Sequence, residues 1–150
     1  MSNDNAISVL NSLIETCKDG EQGFKTAADG LKNPELKTKF LAYSRERAQM
    51  SSELQAEVRR LGGDPERSGS MSGSLHRGWI DIKSVVTGKD DAAILAEAER
   101  GEDVAKSAFE GALKEGLPAS ALSLVQQQVP KVFAAHNEVR NLRDREKVTK

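Results

Sequence analysis

Apolar residues return at intervals of three and four along four long stretches of this chain. That spacing admits little besides amphipathic helices packed on one another. The first stretch carries Ile7, Leu10, Ile14, Cys17, Phe24, Ala28 and Leu31, with Glu21 in the same line. The second carries Phe40, Ser44, Arg47, Ser51, Leu54, Val58 and Leu61, and the third Leu95, Ala98, Glu102, Ala105, Phe109 and Leu113. The fourth carries Leu122, Val125, Val129, Val132, His136, Val139 and Arg143. Start and stop signals bound each one. Ser2 or Asn3 suits the first N-cap, and Asn33-Pro34-Glu35 opens the second helix. Gly62-Gly63-Asp64-Pro65 closes the second, Asp90 or Asp91 opens the third, and Gly116 and Pro118 separate the third from the fourth. Helices are therefore expected at about 3–31, 34–61, 91–115 and 119–145, within a single domain of residues 1–150. Pro130 lies inside the fourth stretch and should kink it or split it in two. The charged tail from Asp144 to Lys150 is expected to fray. Gly20, Gly23 and Gly30 weaken the first helix locally and permit a neighbour to approach closely.

Residues 62–90 differ in character. They open polar and small, and then Leu75, Trp79, Ile82 and Val86 fall at helical spacing, which predicts a short amphipathic helix. The segment is too long for a tight turn between neighbouring helices. It is long enough to travel the length of the long helices, about 40 Å. The expected fold is therefore all-α, a four-helix bundle with one long crossover between its second and third helices. Trp79 is expected to anchor the crossover, and His76, beside Arg77, is read as a surface residue.

Several function classes find no support. Lys and Arg number 22 against 23 Asp and Glu, for a net charge of -1 with both signs mixed along the chain. That balance offers no electrostatic case for nucleic acid or a membrane surface. Aromatics are scarce, which argues against base stacking. No apolar run is long enough to span a bilayer, and the start lacks the pattern of a signal peptide, so a cytoplasmic setting is expected. One cysteine, Cys17, excludes an internal disulfide and a cysteine-based zinc site, and it reads as a plain buried thiol. Glycine-rich phosphate loops, nucleophile elbows and His-Glu-x-x-His pairs are absent from the sequence.

Each apolar stripe contains one residue of the wrong kind: Glu21, Arg47, Glu102 and His136. With the crossover making the second and third helices parallel, the four fall at one depth to within about one helical turn. Glu46 and Glu99 lie at the edges of their faces and are peripheral candidates. Buried charges are tolerated only when paired with good geometry. The first expectation is thus a structural network of Glu21, Arg47, Glu102 and His136 that fixes helix register. The second is a metal site built from Glu21, Glu102 and His136, since carboxylate and imidazole suit iron, manganese or zinc. Di-metal bundles take a Glu from each of two helices and Glu-x-x-His from the other two. Here Phe133 precedes His136 where that pattern has Glu, Gln49 follows Glu46 where it has His, and Arg47 would repel a cation.

Several runs carry a resemblance. They are LIETCKDGE at 13–21, ELQ at 53–55 with RLGGDP at 60–65, GSLHRGW at 73–79 and ERGED at 99–103. Together they resemble a bacterial family of the ferritin-like superfamily, domain-of-unknown-function family 2383, over nearly the whole chain. The resemblance implies a ferritin-like four-helix bundle and no established reaction. Relatives in the wider superfamily store iron or use di-metal centres in redox chemistry. Glu21, Glu102 and His136 match core ligand positions, but the second half of each Glu-x-x-His motif is missing. One class to weigh is a helical module that self-associates or binds a partner through its helix faces. The resulting expectation is a non-enzymatic, stress-associated or interaction protein. Its alternative is a metal-binding protein, for iron or manganese, with a degenerate carboxylate–histidine site.

Overall fold

The computed structural model describes residues 2–66, 79, 81–88 and 90–149, the side chains of 147–149 excepted. The fold is all-α, and no strand occurs among the described residues. Among the described residues five helices follow in order: α1 Asn3–Gly30, α2 Pro34–Arg60, α3 Ile82–Gly88, α4 Asp91–Leu113 and α5 Ala119–Thr149. None of them is long and apolar enough to cross a membrane.

Local chemistry explains the boundaries. Ser2 Oγ accepts the Asn5 N–H at 3.2 Å, Asn33 Oδ1 accepts from Glu35 and Leu36, and Asp90 Oδ1 accepts from Ala92. Each satisfies a backbone donor that a helix start leaves without an intrahelical partner. Gly62 and Gly116 follow α2 and α4 at φ of 87° and 72°, a conformation open mainly to glycine. Pro130 neither ends nor splits α5, which is continuous through it. Proline removes the donor to the carbonyl four residues back, that of Gln126. Gln126 and Pro130 are both exposed, so solvent can meet that carbonyl. α5 also runs on to Thr149, beyond the end expected near 145. Leu75 and His76 lie outside the described residues.

Neighbouring helices are antiparallel. Along α1 and α2, Glu21 faces Ser44 and Phe24 faces Phe40. Along α4 and α5, Asp103 faces His136 and Glu99 faces Arg143. Lys32 and Asn33, beyond the end of α1, donate backbone N–H groups to the Asp91 carboxylate at the start of α4, at 2.8 and 3.1 Å. Lys39 meets Glu138, Gln128 meets Met50 and Glu53, and Ser120 meets Glu57 from one end of α2 to the other. The long helices enclose two apolar clusters. Leu10, Ile14, Met50, Leu54, Phe109 and Val125 belong to one; Phe24, Phe40, Trp79, Leu95 and Val139 belong to the other.

Trp79 packs into the core between α1 and α4. Its indole is 2% exposed and lies between Gly23 of α1 and Gly101 of α4, against the edge of Phe24 with ring centroids 5.0 Å apart. A side chain at either glycine would overlap the indole, so the two helices can hold the ring only because both positions lack a Cβ. The chain leaving Trp79 is held as well. Asp81 donates its N–H to the buried Glu97 carboxylate at 2.8 Å, and α3 then lays Ile82 and Val86 along α1 and α4.

Gly101→Ala is expected to destabilise the fold by about 1–3 kcal/mol through overpacking. In a Trp79→Ala background the same change should cost markedly less, because the two side chains share one space. Urea denaturation of the four proteins measures the coupling; equal costs in both backgrounds would contradict the wedge.

Candidate functional site

Between the two apolar clusters lies a polar layer. Arg47 of α2 and Glu102 of α4 meet there across the core, with side chains 1% and 0% exposed. The contact is bidentate: Nη1 donates to Oε2 at 2.8 Å and Nη2 to Oε1 at 2.5 Å. The planar fork of a guanidinium matches a carboxylate in this geometry. The Phe24 ring lies 5.5 Å from the guanidinium carbon and Gly20 of α1 faces the side chain, leaving room for it. Burial works against the charge of Arg47. The attraction and hydrogen bonds of Glu102 outweigh it and hold Arg47 above the ordinary arginine value.

The predicted four-member layer is therefore corrected in two places. Glu21 does not join the pair. Its side chain is 33% exposed and its carboxylate stands 3.8 Å from Lys18, while its backbone carbonyl accepts from Ser44 Oγ at 2.8 Å. At the edge of the α1 face the carboxylate keeps its water, and Gly20, one residue earlier, occupies the layer instead. His136 is buried but makes its hydrogen bonds elsewhere. Its Nε2 lies 2.6 Å from Asp103 Oδ1, and its Nδ1 lies 3.2 Å from Asn137 Oδ1.

Glu99, Asp103 and His136 form a second cluster, on the seam between α4 and α5. One ligand atom from each lies within 4.8 Å of the others. Glu99 also pairs with Arg143, whose Nη2 donates to Asp144 at 3.0 Å. Glu99 and Asp103 are one turn apart on α4, and His136 and Arg143 two turns apart on α5, so antiparallel packing aligns the four. Glu46 belongs to neither cluster. It lines a groove between α2 and α5 with Tyr43, Pro130, Lys131, Ala134, Ala135 and Glu138. The sequence does not single out Asp103 as a site residue. The i, i+4 spacing from Glu99 was visible, but which helix α4 would face was not.

These positions decide what the layer can do. A di-metal centre needs carboxylates free to bridge and imidazoles turned inward. Both oxygens of Glu102 are taken by a permanent cation, Glu21 lies outside the layer, and His136 faces the seam. The residues at the centre do not fit such a group. Cys17 lies beside the layer, 0% exposed. Burial pushes its thiol up to about 12, beyond what the neighbouring Arg47 can offset. A thiol so held is neither a nucleophile nor a metal ligand near neutral pH.

A family described as Domain of unknown function (DUF2383) matches residues 5–115 of the chain. No curated protein matches it.

Glu102→Gln leaves a buried guanidinium without its counter-charge and is expected to cost about 3–5 kcal/mol. Replacing both partners, as Arg47→Met with Glu102→Leu, should return stability to within about 2 kcal/mol of the parent or above it. Chemical denaturation checks both. Cys17 should resist a disulfide reagent at pH 8 in the native protein and react at once in denaturant; rapid labelling of the folded chain would show that the thiol is accessible.

Proposed function

We propose, for a chain that belongs to the family Domain of unknown function (DUF2383), a non-enzymatic ferritin-like four-helix bundle with a crossover between α2 and α4. The antiparallel neighbours support the bundle, and Arg47–Glu102 joins the two diagonal helices. The crossover reading is supported by where its ends lie. Near the end of α2, Glu57 meets Ser120, and α4 starts at the opposite end, beside Lys32. Two helices that run parallel need a connection spanning their full length.

The observation that carries the non-enzymatic reading is the bidentate pair at the centre. A ferritin-like enzyme keeps its core carboxylates for a metal ion, and here the core carboxylate of Glu102 is held by a guanidinium. Its charge is fixed and its partner cannot exchange ligands. The reading is thus an interaction protein of the bacterial cytoplasm. The stress-associated setting comes from the ferritin-like resemblance alone.

Aerobic oxidation of iron(II) by the purified chain tests the proposal. The rate should equal that of buffer and should not change in Glu102→Gln. Saturable oxidation that disappears in Glu102→Gln would overturn it.

A further inference from the structure

We infer that the seam between α4 and α5 carries a binding site for one divalent transition-metal ion, with Glu99, Asp103 and His136 as ligands and Arg143 as a built-in competitor. The inference goes beyond the proposed function, which concerns the centre of the helices and not this seam.

The ligand atoms already lie within 4.8 Å of one another, so closing them onto an ion at first-row ligand distances of about 2.0–2.2 Å needs only small side-chain shifts. The surroundings of the imidazole point the same way. Both ring nitrogens of His136 face oxygen acceptors, Asn137 Oδ1 and Asp103 Oδ1. A neutral imidazole has a single N–H and can satisfy only one of them. With Nδ1–H donated to Asn137, the lone pair of Nε2 points at a carboxylate. A positive species between the two, a proton or a metal ion, makes that arrangement favourable. Fixing the tautomer through the other ring nitrogen is how proteins orient metal-binding histidines.

The donor set selects the class of ion. Imidazole with two carboxylates suits zinc, manganese or iron(II); calcium and magnesium prefer oxygen alone. Access is open from one side, since the Asp103 side chain is 61% exposed while that of His136 is 5% exposed. Arg143 sets the threshold. Its guanidinium pairs with Glu99 and with Asp144 at once. It can release Glu99 to an incoming ion and keep a carboxylate partner.

Calorimetric titration of the chelator-treated full chain with zinc(II), repeated with manganese(II), tests the site. One ion per chain should bind. Asp103→Asn, at an exposed position that leaves the fold alone, should weaken binding by about tenfold or more, and Asn137→Ala by about tenfold. Arg143→Gln should tighten binding severalfold, which a merely structural role for Arg143 would not produce. Glu21→Gln should leave it unchanged. Absence of saturable binding up to millimolar ion, or binding indifferent to Asp103→Asn, would overturn the inference. Neither result bears on iron oxidation at the centre.

Discussion

Arg47 and Glu102 are both removed from water, and everything around them is arranged so that this can be tolerated. An unpaired charge at that depth would cost several kcal/mol, so the two forks must meet in plane and at hydrogen-bond distance. This demand fixes how far α2 and α4 may slide or rotate against each other. A shift of one residue turns either side chain by about 100° and leaves both charges alone among apolar neighbours. The apolar clusters on either side tolerate small slips far better. The pair therefore acts as a register pin for the whole arrangement, with Gly20 and Phe24 shaping the space it occupies.

The same layer is braced from the side. Gly23 and Gly101 adjoin Phe24 and Glu102 in sequence, and Trp79 fills the gap between them. A large rigid indole between two backbones sets the spacing of α1 and α4 at the height of the ion pair. Glu97 and Asp91 add polar ties on the same side, one to the chain entering α3 and one to the turn between α1 and α2. Packing, charge pairing and backbone hydrogen bonds thus agree on one geometry, as a well-specified native state requires.

Chemistry follows from where the charges are free. At the centre the guanidinium occupies both oxygens of Glu102, and the buried Cys17 thiol is held protonated. On the α4–α5 seam, carboxylates and an imidazole converge with one side open to water. The centre is built for permanence, whereas at the seam a partner can be exchanged.

The long helices were legible because 3.6-residue periodicity and capping chemistry are local, and so was the burial of Arg47, Glu102 and His136. Pro130 was ambiguous because its cost depends on whether the orphaned carbonyl can reach water. The site itself was read only halfway. Glu21 lies one residue from the position that faces Arg47, and a stripe drawn from sequence does not resolve which of two adjacent residues points inward. Likewise, nothing local distinguishes an imidazole aimed at the core from one aimed at a neighbouring helix. Sequence alone determined the helices, their polar interruptions and the glycines that allow close approach. Only tertiary structure decided the partners, Glu102 for Arg47 and Asp103 for His136. Pairing depends on rotations and distances between helices, and residues far apart in the chain set those together.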